Sequence, residues 1–299
     1  MAISKVRVQL NGTWYTLTSN GSNTYTATIT APGATSYNQG GGYYNVIAEV
    51  TNDAGTVATV DGSILDGLRL VVKERVAPVI AILSPTSGAY VTNNKQPVSF
   101  TVTDESGGSG ININTLVVKL DGTAVAASTI TKTAITNGYS VTYTPASVLS
   151  DGSHTVTITV SDNDGNAATA KSTTFKVDTV PPTLNVTAPA NELIVSASPL
   201  VVRGTTNDGT SSPVTVTIKL NGTNQGNVTV ESSGAFSKTI TLAEGTNTIV
   251  VTATDAAGKS SAVTRTVTLD SSVPSVRSVS ITPNPVDAGA TMVITVVVE

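Results

Sequence analysis

Lys119-Leu120-Asp121-Gly122-Thr123 returns one hundred residues later as Lys219-Leu220-Asn221-Gly222-Thr223, and a variant, Gln9-Leu10-Asn11-Gly12-Thr13, stands near the start of the chain. Asp-Gly and Asn-Gly accept positive φ at low cost, so each motif marks a tight hairpin turn. The flanking residues alternate apolar and polar, as in Val214-Thr215-Val216-Thr217-Ile218-Lys219-Leu220 and Thr155-Val156-Thr157-Ile158-Thr159-Val160. That period of two buries one face of a strand and leaves the other in water. Val and Thr are β-branched and suit a pleated surface. No segment carries a 3.6-residue apolar period, and Gly, Asn, Asp and Pro punctuate the runs as turn formers.

Two further elements repeat in phase with the hairpin. One reads Val50-Thr51-Asn52-Asp53-Ala54-Gly55, then Val160-Ser161-Asp162-Asn163-Asp164-Gly165, then Ala253-Thr254-Asp255-Ala256-Ala257-Gly258. The other is a proline joint: Val76-Ala77-Pro78-Val79, Thr179-Val180-Pro181-Pro182 and Ser272-Val273-Pro274-Ser275. Proline fixes φ and stiffens a short linker. The repeat of about 100 residues is the size of one immunoglobulin-like sandwich. These elements resemble bacterial and phage immunoglobulin-like (Big-type) tandem repeats. The Asp-x-x-Gly hairpin and the Val-Pro-Pro joint carry the resemblance, which implies an all-β chain of tandem immunoglobulin-like β-sandwiches. The Cys–Trp–Cys pin of antibody domains is absent, since there is no Cys and the single Trp is Trp14.

The phase of the repeat divides the chain. Residues 77–178 hold a full set of strands, led by Val79–Leu83 and Val98–Val102, and residues 179–271 repeat that order. Residues 1–76 begin almost at the hairpin and read as a module lacking its two leading strands. Residues 272–299 supply the complement, two leading strands of a further module carrying Val279, Ile281, Val293, Ile294, Val296 and Val298. A sandwich without two strands leaves an open edge and an apolar face, and a lone strand pair is marginal in water. The expectation is that these six residues are assembly positions. They complete the first module of another copy by strand addition, or dock on a different tail or surface protein, unless the ends are simply trimmed.

Composition removes several function classes. Charged residues are 12% and the net charge is −4 with no long run of one sign, so there is no electrostatic footprint for nucleic acid. No apolar stretch approaches the ~20 residues of a membrane helix. Absence of Cys excludes disulfides and thiolate chemistry. The sole histidine, His154, opens a strand with no nucleophile nominated beside it. No Gly-x-Ser-x-Gly, His-Glu-x-x-His or phosphate-loop pattern occurs, so no catalytic residue and no organic cofactor is expected.

Two minor sites remain as candidates. Asp162 and Asp164 offer oxygens in one turn and are the first choice for calcium, with Asp104-Glu105 and Asn207-Asp208 near other turns. The same residues also cap tight turns without any metal. Among the aromatics, concentrated in the first module, the loop carrying Tyr37, Tyr43 and Tyr44 is where a cell-surface glycan or a protein partner would be sought. Core packing is the competing role for those rings.

The resemblance extends to immunoglobulin-like proteins encoded among tail genes of phages and prophages. It implies a non-enzymatic component of a phage tail or related particle: a rod-like spacer, fibre or decoration with weak cell-surface binding. The N-terminus, Met1-Ala2-Ile3-Ser4-Lys5-Val6, reads as a strand and not as an export signal. The expected location is therefore the virion, or the exterior after assembly in the host cytoplasm. Three modules in line make a rod on the order of 100–130 Å. Two other classes compete: a bacterial adhesin, stalk or filament built head to tail, and an accessory binding region of a secreted enzyme.

Overall fold

The computed structural model describes residues 2–299, and among them there is no α-helix. The chain divides into two compact units, residues 1–178 and 179–299. All three hairpin motifs turn as their Asn/Asp-Gly pairs require. Asn11, Asp121 and Asn221 have φ of 48°, 48° and 49°, and the following glycines 80°, 83° and 86°. Positive φ at both central residues gives the turn the same hand as the strand twist.

Within the first unit, residues 79–177 form a two-sheet sandwich. One sheet orders the strands Ile130–Ile135, Gly138–Tyr143, Val98–Thr103 and Val79–Ser84. The other orders Tyr90–Val91, Lys171–Val177, Gly152–Asp162, Ile111–Leu120 and Thr123–Ala124. Pro85 has no amide hydrogen to donate, so the leading strand stops there. The chain then crosses to the other sheet, where Tyr90–Val91 pairs in parallel with Lys176 and Val177. Alternation sends Val98, Phe100 and Val102 inward to meet Val118, Val156, Ile158 and Phe175, all fully buried. Fifteen buried hydrophobic residues make up this core.

The preceding stretch is built differently. Its main sheet orders Thr13–Thr16, Ile3–Leu10, Ile47–Asn52 and Val57–Val60. The registers Val6↔Val50, Val8↔Ala48, Val50↔Ala58 and Ala48↔Val60 gather one apolar face. The other strands here make two ribbons of two strands each, Thr18–Gly21 with Thr24–Thr26 and Tyr44–Asn45 with Arg69–Leu70. Of the hydrophobic residues between 2 and 76, Leu10 and Tyr44 alone are buried. Two against fifteen means that this apolar face is half-covered, where the neighbouring sandwich closes over its own.

The second unit repeats the sandwich over residues 183–269. Thr183–Ala188, Leu200–Asn207 and Ala235–Ile240 form one sheet. Leu193–Val195, Ser260–Leu269, Gly245–Thr254, Thr215–Leu220 and Thr223–Asn224 form the other. Its core centres on Val202, Ile218, Ile249, Val251 and Val267. Gly204 is required by packing: a Cβ there would run into the Asn185 carbonyl and the Phe236 ring. Beyond this sandwich, Val276–Thr282 and Val293–Val298 pair as an antiparallel hairpin in which every residue is exposed.

Candidate functional site

The Asp-x-x-Gly elements are self-capped turns. Asn52 Oδ1 accepts the amides of Ala54 and Thr56, and Asp162 Oδ1 those of Gly165 (2.6 Å) and Asn166 (2.8 Å). Asp255 Oδ1 accepts the amide of Lys259. Each cap satisfies donors that a tight turn leaves unpaired. The calcium expectation fell on two residues of this turn, Asp162 and Asp164. Asp162 is 1% exposed and its Oδ2 accepts from Asn166 Nδ2. Asp164 Oδ2 accepts from Thr35 Oγ1 and from the Glu74 amide. Both carboxylates accept from protein donors, Asp164 through Oδ2 alone, and neither belongs to a metal-sized cluster among the described residues.

The aromatic loop divides between core and surface. Tyr44 is a core residue whose hydroxyl donates to the Ala34 carbonyl, so it cannot meet a partner. The Arg69 guanidinium lies 5.2 Å from the Tyr43 ring centroid, and Tyr37 remains exposed. Asn38, next in sequence, donates to the Gly108 carbonyl at 2.7 Å. The loop is thus moored to the neighbouring sandwich of its own unit. Trp14 carries the Arg7 guanidinium 4.2 Å above its ring, and Glu49 holds Arg7 by two hydrogen bonds of 2.6 and 3.0 Å. The bond from Arg7 lowers the Glu49 pKa, so the pair stays ionised.

His154 is structural. Its Nδ1 lies 2.8 Å from Asp121 Oδ2 and its Nε2 lies 2.8 Å from the Ser150 carbonyl. Both partners are acceptors, so the two contacts are satisfied together only when both ring nitrogens carry a proton. Burial disfavours that cation, but the Ser150 carbonyl and the bond and charge of Asp121 outweigh it, and the pKa stands above the ordinary 6.5. No ring nitrogen is left to take a substrate proton. In the 183–269 sandwich the same position is Asn247, which accepts from Asn221 and donates to the Ala243 carbonyl. Two different side chains therefore latch the two hairpin turns.

A different group of carboxylates converges in the first unit. Glu74, Asp104 and Glu105 each place an oxygen within 4.8 Å of the others. Glu74 comes from the linker ahead of Val79–Ser84, and Asp104-Glu105 from the loop after Val98–Thr103. Backbone amides position them: Ser109 donates to Glu74 Oε1, and Gly110 donates to Asp104 Oδ2 at 2.7 Å. The Glu105 carboxyl is pushed up to about 7, first by its hydrogen bond with Glu74 and then by burial. Asp104-Glu105 stands out in the sequence as an acidic pair near a turn, whereas Glu74 lies between Lys73 and Arg75 and reads as part of a solvated linker.

Residues 84–179 match the family described as a bacterial Ig-like domain, and residues 182–271 match glucodextranase, domain B. Similar solved structures include the fibronectin(III)-like modules of Clostridium thermocellum CbhA, at 18% identity over 64% of this chain and 94% of that one, TM-score 0.40. An I-band fragment of titin aligns at 14% identity over 89% and 88%, TM-score 0.45. Sidekick-1 immunoglobulin domains 1–4 align at 12% identity over 90% and 68%, TM-score 0.39. No curated protein matches the chain. Strand order and two closed cores define the class, and the two family matches agree with it: an all-β protein of tandem immunoglobulin-like sandwiches. Such tandems point to a structural or binding module. No helix among the described residues is long and apolar enough to cross a membrane.

Proposed function

We propose that the chain is a non-catalytic structural component, a tandem-sandwich spacer of a phage tail or related particle, and that its copies join through the hairpin 276–298. The observation that carries the joining step is a matched pair of uncovered apolar surfaces. On the hairpin, Val279↔Val296 and Ile281↔Ile294 stack on one face, while Ser280↔Thr295 lies on the other. The four apolar side chains are 41–59% exposed. In the 79–177 sandwich the leading pair has the same arrangement, Ile80↔Val102 and Ile82↔Phe100, and it covers the opposing sheet. That opposing sheet corresponds to the half-covered face of Val6, Val8, Ala48 and Val50, through the shared Leu-Asn/Asp-Gly-Thr hairpin. The packing this chain uses within itself supports the hairpin of a second copy as the occupant of the first sheet. The particle assignment itself rests on the resemblance to tail-associated immunoglobulin-like proteins.

Such a contact is heterologous and continues from copy to copy, giving a ring or a filament. Light scattering on the full chain, with and without residues 273–299, tests it. A multiple of the chain mass that falls to one chain on deletion supports the reading, and a monomer in both cases removes it. A second reading, an accessory binding region of a secreted enzyme, is favoured by the match of residues 182–271 to glucodextranase, domain B. It predicts a monomer that binds a polysaccharide.

A further inference from the structure

We propose that Glu74, Asp104 and Glu105 form a binding site for a hard divalent cation, calcium in preference to magnesium, that ties the Glu74 linker to the loop following Val98–Thr103. Three observations carry it independently of one another. The first is convergence: the point where a Cβ on Gly108 would stand lies 2.7 Å from Asp104 Oδ2, 2.9 Å from Glu74 Oε2 and 2.9 Å from the Glu105 carboxyl carbon. The three carboxylates thus crowd the side of Gly108 that carries no side chain, Asp104 through the Oδ2 that also accepts from Gly110. The second is want of partners. Asp104 is 7% exposed, and its Oδ1 is buried with no hydrogen bond. Glu74 Oε2 and Glu105 Oε2 are buried too, and no donor meets them apart from the proton these two carboxyls share. Native folds leave few such atoms without an unseen water or ion. The third is charge: among the described residues no lysine, arginine or histidine forms an ion pair with any of the three. Asp104 is buried and the two glutamates are half-buried, and carboxylates so crowded repel unless a proton or a cation lies between them.

The donor set selects the cation. All ligands are carboxylate oxygens, the chain has no Cys, and its one histidine is engaged elsewhere, so a soft or borderline metal has nothing to prefer. Calcium takes six to eight oxygens in a flexible shell, whereas magnesium demands near-ideal octahedral geometry. Ligands drawn from a linker and a loop suit the former. A cavity of about 450 Å³ lined by Glu74, Glu105, Thr35 and Gly107, and also by Lys73 and Arg75, opens beside the cluster and admits the waters that complete the shell.

The test is calorimetric titration of calcium into the metal-stripped full chain at pH 7.5, comparing the parent with Asp104→Asn and Gly108→Ala. Gly108 does not have positive φ, so alanine is allowed on the backbone while its methyl fills the side that the carboxylates crowd. It decides the matter if Asp104→Asn fails to fold by circular dichroism. The expected result is that each folded variant binds one equivalent fewer than the parent, or binds it at least 100-fold more weakly. Calcium should also raise the unfolding temperature of the parent more than that of Gly108→Ala. A parent that takes up no calcium at millimolar concentration shows that a proton alone resolves the cluster and overturns the proposal. A Gly108→Ala variant with parental stoichiometry and affinity overturns it equally.

Discussion

Replacing His154 by asparagine should change the pH dependence of stability more than stability itself. Asparagine occupies the equivalent position, Asn247, in the following sandwich, where it latches the Asn221 turn, so the substitution keeps the local architecture. What it removes is a cation held between Asp121 and the Ser150 carbonyl at 2.8 Å each. Hydrogen bonds involving a charged group contribute about 1.5–3 kcal/mol and neutral ones about 0.5–1.5 kcal/mol, so the parent should exceed the variant by roughly 1 kcal/mol when the ring is charged. For a domain of this size that is about 4–8 °C in unfolding temperature. The sign follows from linkage. The folded pKa is raised above the unfolded value near 6.5, so the stabilisation is fully present below that value and is lost as pH rises through the folded pKa. Scanning calorimetry of both proteins from pH 5 to pH 9 gives the difference directly. A parent-minus-variant difference that is constant with pH, or that grows toward high pH, would refute a cationic latch.

Three other outcomes follow from packing. Phe175→Ala should cost about 3–5 kcal/mol, since the ring is fully buried in the 79–177 core, and chemical denaturation should show an earlier transition. Gly204→Ala should destabilise the 183–269 sandwich by about 1–3 kcal/mol by overpacking against the Asn185 carbonyl and Phe236; an unchanged melting profile would contradict that geometry. Ile281→Asp with Ile294→Asp should reduce the assembled mass to that of one chain without lowering any unfolding temperature of the isolated chain, because both side chains are exposed there.

How much of this was legible in the sequence depended on the range over which each feature is encoded. The Asp121-Gly122 and Asn221-Gly222 turns are set by the φ preferences of two adjacent residues, and strands such as Thr215–Leu220 by an alternation visible within six. Both are local, so both could be read. Ile130–Ile135 was not singled out: its outer residues are exposed and its pattern, Ile-Thr-Lys-Thr-Ala-Ile, is largely polar. Tyr90–Val91 is two residues long, too short for any period, and exists because the chain crosses sheets after Pro85. For Tyr44 the sequence left a surface and a core role both open, because its partners Leu70 and Ala34 lie far along the chain or across a loop. Asp162 and Asp164 looked like ligands by type alone. Their hydrogen bonds to Asn166, Thr35 and Glu74 are not legible locally, since two of those partners are 129 and 90 residues away. The Glu74–Asp104–Glu105 cluster is likewise a product of tertiary structure, joining residues 30 apart that no spacing rule connects.

The joining of copies is tested most directly by site-specific cross-linking, which the absence of native cysteine makes clean. One preparation carries Ala48→Cys in the first sheet, and a second, differently tagged, carries Ile281→Cys on the apolar face of the hairpin. A control for the second carries Thr295→Cys on the opposite face. After mixing with a short bis-thiol reagent, the account predicts mixed-tag dimers from the Ala48–Ile281 pair and few from the Ala48–Thr295 pair. Equal yields from both pairs, or no mixed dimer from either, would contradict docking of the hairpin on the first sheet.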